Sequence, residues 1–124
     1  MLELASGWQM HVDYSPDWLF FRIENLGSED IKSPLSESLW SMAEKHQIKR
    51  LVCELAENVW MNSLLIGQLV VLHKRAHLEG GTLRLCGLSD DNHSVLRVMG
   101  LGERLPNYAT REDAVMGYRP RKPR

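Results

Sequence analysis

Two cysteines, two phenylalanines, no long apolar run and almost no net charge are the scarcities of this 124-residue chain. Each excludes something. Cys53 and Cys86 fall among aliphatic residues in strand-like runs, so buried free thiols are expected rather than a disulfide scaffold or a zinc site. No apolar stretch approaches the roughly 20 residues that cross a bilayer, and the N-terminus lacks the basic and apolar parts of a signal peptide. A cytoplasmic protein without a transmembrane segment is expected. A formal net charge of -1 gives no electrostatic footprint for nucleic acid or a membrane surface. No internal repeat and no second domain are visible, and the length suits one domain with one core.

What is present centres on Asn58-Val59-Trp60-Met61-Asn62-Ser63-Leu64-Leu65-Ile66-Gly67. Before it, Arg50 to Leu55 has the length and flanks of a buried strand. After it, Leu65, Leu69, Leu72 and Ala76, with Ile66 and Val70 beside them, repeat at the spacing of one helix face. Asn62 and Ser63 stand where strand gives way to helix, and both are favoured N-cap residues. A hydroxyl there faces unpaired amides and the positive end of the helix dipole, a setting that suits a phosphate.

Trp8 to Tyr14 and Trp18 to Ile23 are extended, aromatic-rich runs joined by Ser15-Pro16-Asp17, which predicts an N-terminal antiparallel hairpin. Asn25 to Lys32 reads as a loop. Ser33-Pro34 opens a helix with Leu35, Leu39 and Met42 on one face, ending near His46 or Gln47. Gly80-Gly81 stops the central helix and leads into a strand, Thr82 to Cys86. Ser89 caps a third helix, with Val95, Leu96 and Met99 facing inward and Gly100 as a left-handed terminator. Leu105 to Tyr108, carrying Pro106, is an edge strand, and Thr110 with Asp113 forms a capping box for a last helix. The alternation predicts an α/β fold, a mixed, mostly parallel sheet flanked by four helices. Val52, Leu69, Leu72 and Leu85 are expected in the core. The domain is expected to occupy residues 1–118, and 119–124, which alternates base and proline, to be a disordered tail.

Other constellations carry less. His73 and His77 have metal-ligand spacing, but no third ligand and no Glu accompany them, so no metal site is expected. Ser63 with His93 or His73 lacks a Gly-x-Ser-x-Gly elbow, and a capping serine has no reason for nucleophilic activation; no enzyme and no cofactor are expected. Trp60 and Leu64 are candidates for an exposed apolar patch beside the motif, whereas Leu65 reads as core.

The order of elements and the central motif resemble the STAS domain, the fold of bacterial anti-sigma factor antagonists, stressosome subunits and the cytoplasmic tails of sulfate transporters. The resemblance covers roughly Trp8 to Val115. The family has a strand ending in an Asp-Ser-Ser-Gly-Leu-Gly type motif that opens a helix. Here Asn62 matches the Asp, Ser63 the first Ser, Ile66 the Leu and Gly67 the last Gly. Gly80-Gly81, Gly87-Leu88-Ser89, Gly100-Leu101 and the Thr110 to Ala114 helix start follow in the family's order. Two departures stand out: Asn62 replaces a carboxylate, and Leu64-Leu65 replaces Ser-Gly.

The resemblance implies a non-catalytic regulator that binds an anti-sigma factor serine kinase. That kinase phosphorylates the first Ser, here Ser63, and a phosphatase reverses it. The partner surface implied is Trp60, Asn62, Ser63, Leu64 and Gly67, on a monomer or weak homodimer. The alternative implied by the departures is an unphosphorylated STAS subunit or scaffold of a larger assembly, such as a partner of the ATPase of a lipid-transport ABC system.

Overall fold

The structure, a computed structural model, describes residues 2–5, 8–25, 35–56, 59 and 61–117. The elements run β1 (Leu2–Ala5), β2 (Trp8–Tyr14), β3 (Leu19–Asn25), α1 (Leu35–His46), β4 (Arg50–Leu55), α2 (Ser63–Leu78), β5 (Thr82–Cys86), α3 (Asp90–Val98), β6 (Asn107–Tyr108) and α4 (Arg111–Met116). Of the loop expected over Asn25 to Lys32, Asn25 instead ends β3, paired with Trp8; residues 26–32, the Ser33-Pro34 helix start and the tail expected over 119–124 lie outside the described residues.

Six strands form one sheet whose spatial order is the chain order, β1 to β6. The pairs β1–β2 and β2–β3 are antiparallel; β3–β4, β4–β5 and β5–β6 are parallel. The mixed, mostly parallel sheet with its antiparallel hairpin is as the sequence predicts, with one strand added. That strand is β1, four residues long, too short to show a period on its own; it forms by extending the hairpin's edge. The register stacks Leu19, Leu51 and Leu83 in one row and Phe21, Cys53 and Leu85 in the next.

These rows face α1, α2 and α3. A sheet that grows in one direction through crossovers of one hand places every crossover helix on the same face. The main core accordingly joins Leu39 and Ala43 of α1, Leu65, Ile66, Leu69, Leu72 and Ala76 of α2 and Leu96 of α3 to that face. α4 follows the last strand and returns across the other face. There Ala114 packs with Trp18, Val52, Cys86 and Tyr108 in a second, smaller cluster. Arg84 completes this side: its guanidinium lies over the Trp18 and Tyr108 rings and donates to the Ala114 carbonyl at 2.6 Å. The four residues expected in the core are all fully buried, but Val52 belongs to the smaller cluster.

Helix ends explain where the sequence reading was off by a turn. The helix after Ser89 was expected to point Met99 inward, yet Met99 is 52% exposed. It is the C-cap residue. Gly100 adopts φ +75°, and the Leu101 amide donates to the Leu96 carbonyl, which is the Schellman arrangement. Leu101, not Met99, is thereby folded against the core. α2 ends the same way, with the Gly81 amide bonded to the Ala76 carbonyl. A Cβ on Gly81 would collide with the Lys49 backbone, so this glycine is required by a close approach. The edge strand expected over Leu105 to Tyr108 is shorter than expected, since Leu105 turns into the core instead of pairing.

Cys53 and Cys86 are free and buried. Burial, with Glu54 adding its negative charge, pushes the Cys86 thiol from 9.0 up to about 12. Burial, followed by the neighbouring Cys86, raises Cys53 as well. The folded protein thus holds protons that the unfolded chain releases above pH 9, and stability contributed below that point declines as pH rises through the folded values. Urea titrations from pH 8 to 10.5 should show this fall, and Cys53→Ala with Cys86→Ala should reduce its slope. Leu69→Ala should lower unfolding free energy by about 2–5 kcal/mol in the same assay at pH 7.

Candidate functional site

The site expected at the start of α2 lies beyond the carboxyl end of β4, where ligands and partners of parallel sheets are commonly met. Asn62 is the N-cap of α2. Its side-chain oxygen accepts from the Leu65 amide at 2.9 Å, and its backbone is extended, the usual cap geometry. Ser63 is therefore the first helical residue. Its side chain is exposed and is not the cap. The two capping candidates are separated by the geometry.

The neighbours divide sharply. Leu64 is 56% exposed and Leu65 only 3%, as a helix start lying on the sheet requires. Gly67 is exposed. Trp60 lies outside the described residues. Asn62, Ser63, Leu64 and Gly67 are thus gathered within the first turn and a half of one helix. The first turn of α2 contains no acidic side chain, so nothing on the helix neutralises its positive dipole end.

What fixes this segment was not legible as a motif. Asn92, on α3, is 4% exposed. Its side-chain oxygen accepts from the Met61 amide at 2.8 Å, and its side-chain nitrogen donates to the Val59 carbonyl at 2.8 Å. One amide group satisfies both a donor and an acceptor of the segment leading into α2. Asn107 does the same one loop later, accepting from the Leu88 amide and donating to the Leu88 carbonyl. Gln68 of α2 accepts from both the amide and the hydroxyl of Ser36 at 2.9 Å, joining α2 to the start of α1. The only sequence signal was an asparagine three residues after a cap, Ser89, whose hydroxyl accepts from the Asn92 amide.

The histidines behave as helix-face residues. Burial first, then His77 and Arg104, lower the His73 pKa; burial and Arg97 lower that of His93. Among the described residues, no three His, Cys, Asp or Glu side chains gather as metal donors. Among them also, no helix is long and apolar enough to cross a membrane.

The STAS domain family matches residues 15–114. The chain is a STAS domain protein. Solved structures extend the likeness of fold. An anti-sigma factor antagonist from Mycobacterium paratuberculosis superposes with a TM-score of 0.71 at 16% identity, covering 94% of this chain and 97% of that one. The anti-sigma factor antagonist SpoIIAA in its unphosphorylated form gives 0.61 at 17% identity, over 88% and 97% of the two chains. A STAS domain protein from Planctomyces limnophilus gives 0.58 at 20%, over 87% and 96%. No curated protein sequence is significantly similar.

The roles within this STAS site are separable by mutation. Asn62→Ala should cost about 1 kcal/mol through loss of the cap. Ser63→Ala should change stability by less than about 0.5 kcal/mol, as expected of an exposed residue with no capping role. Asn92→Leu leaves two buried backbone groups unsatisfied and should cost roughly 2–4 kcal/mol. Chemical denaturation of the three variants checks the order.

Proposed function

We propose that this STAS domain is a non-catalytic regulator of the anti-sigma factor antagonist type, with Ser63 as its phosphorylation acceptor. Its partner is a serine kinase that serves as the anti-sigma factor, and a phosphatase restores the hydroxyl. The observation that carries this reading is the exposure of Ser63 at the first position of α2. Capping falls to Asn62, so the hydroxyl can be modified without unmaking the helix start.

The electrostatics support a switch. Phosphorylation adds roughly 1.5 to 2 negative charges. With no acid in the first turn of α2, the helix N-terminus receives that charge favourably, by about 0.3–1 kcal/mol. A partner surface closed over the same hydroxyl would instead meet repulsion and desolvation. Asn62 in place of a carboxylate also spares the phosphate a negative neighbour. The docking surface in this reading is Trp60, Asn62, Ser63, Leu64 and Gly67. The domain spans 1–118, acts in the cytoplasm as a monomer or weak homodimer, and needs no cofactor, metal or nucleic acid.

The exposed Leu64 favours a second reading. An apolar side chain beside the acceptor suits a contact that is never released, as in a constitutive STAS subunit bound to a transporter ATPase of a lipid-transport system. The two readings part on the modification itself. Intact mass of the protein purified from its own cells, before and after phosphatase, should show a phosphorylated form that Ser63→Ala lacks. Ser63→Asp should keep the fold and release the copurifying partner. Absence of any phosphorylated form, together with full partner retention by Ser63→Asp, would leave the constitutive subunit.

A further inference from the structure

The outer face of α2 carries apolar side chains that its own core does not use. Leu64, Val71 and Leu78 are 56%, 50% and 84% exposed. They recur at every seventh residue, so they form one nearly straight seam along the helix. Leu65, Ile66, Leu69, Leu72 and Ala76 are buried on the other side. The helix is apolar on two faces, and the domain covers one of them. Beside the seam lies Gly67, exposed, where an added Cβ would meet nothing within 4 Å. A glycine in an exposed helix interior weakens the helix. Internal packing does not demand it, but it leaves a notch through which a second backbone can approach closely.

Charge identifies the occupant. α2 reads SLLIGQLVVLHKRAHL, with Lys74, Arg75 and two histidines but no Asp or Glu. Lys74 and Arg75 border the seam on its two sides. Arg75 lies over the Trp40 ring of α1 and 3.6 Å from Glu44; Glu79, beyond the helix, lies 3.9 Å from Lys49. Laid parallel, two copies of this face would bring Lys74 and Arg75 against themselves; laid antiparallel about Val71, they would set these bases opposite Gln68 and Gly67, and in neither orientation does α2 offer an acidic residue to pair.

We propose that the Leu64–Val71–Leu78 seam, with the Gly67 notch and the Lys74 and Arg75 rim, docks an acidic amphipathic helix of a protein partner. That helix is apolar at heptad spacing and carries Asp or Glu on its flanks. The inference deepens the proposed function by naming the kind of segment bound, and it rests on that reading's placing of the partner on α2. It does not rest on phosphorylation.

The test titrates the full chain into a labelled peptide of about three heptads with Leu at a and d and Glu at e and g, against a Lys counterpart. The Glu peptide should bind saturably, less tightly as salt rises, and the Lys peptide at least about tenfold more weakly. Val71→Asp should weaken binding by about tenfold or more with its circular dichroism and urea midpoint unchanged. Lys74→Glu should shift preference toward the Lys peptide. Absence of saturable binding, or equal binding by Val71→Asp, overturns the proposal. So does a concentration-dependent dimer that Val71→Asp abolishes, which assigns the seam to a second copy. Binding to phosphatidylglycerol vesicles without peptide binding assigns it to a membrane and overturns it equally. Ser63 phosphorylation is read separately by intact mass. A phosphorylated protein that ignores the peptides condemns the seam alone, and an unmodified protein with charge-selective binding condemns only the switch.

Discussion

The segment between β4 and α2 enters the helix through Val59 and Met61, both buried. Backbone that passes through an interior must find partners for its amides and carbonyls. Here the Asn92 side chain supplies one of each. Because Asn92 sits in the first turn of α3, the two helices that follow the central parallel strands are referenced to each other by a single amide. Asn107 applies the same device to the segment before α3. The position of Ser63 in space is thus set from the next crossover as well as by the packing of its own helix.

That dependence marks the boundary of what sequence could tell. Local rules located most elements. The apolar spacing from Leu65 to Ala76, the Gly80-Gly81 stop, the Ser89 and Thr110 caps and the Pro16 turn are decided by residues within a few positions of one another, and the structure agrees with them. Where two local solutions were equivalent, as with Asn62 and Ser63 as the cap, only the folded geometry chose. Met99 failed for a related reason: helical periodicity continues on paper past the residue at which a Schellman turn substitutes Leu101. The clamps by Asn92 and Asn107 are contacts across 31 and 19 positions, beyond any window-based reading.

The face of the sheet covered by α4 shows how polar and apolar packing are divided. Around Trp18 and Tyr108 the small cluster is sealed by the Arg84 guanidinium stacked on both rings. Toward β2 and β3, the same face carries Arg22 paired with Glu24 and Glu54, and Arg111 reaching Glu54 and Asp13 while lying over Phe20. Charged side chains lying flat on strands keep a half-covered sheet from offering an apolar plane to solvent. The site end and the helix-covered face are left as the surfaces with apolar content available to others.

Chain order and strand order being identical has a consequence for synthesis on the ribosome. Every strand that emerges finds its neighbour already made, so the sheet can be laid down as the chain is translated, without waiting for a distant segment. The growing edge is always the newest strand, and it is closed by the two residues of β6. Trp18, Val52 and Cys86 have no helical cover until Ala114 arrives, after every strand of the sheet has been made. A nascent STAS domain of this topology therefore completes its larger core first and carries an open apolar patch on its other face until α4 folds over it.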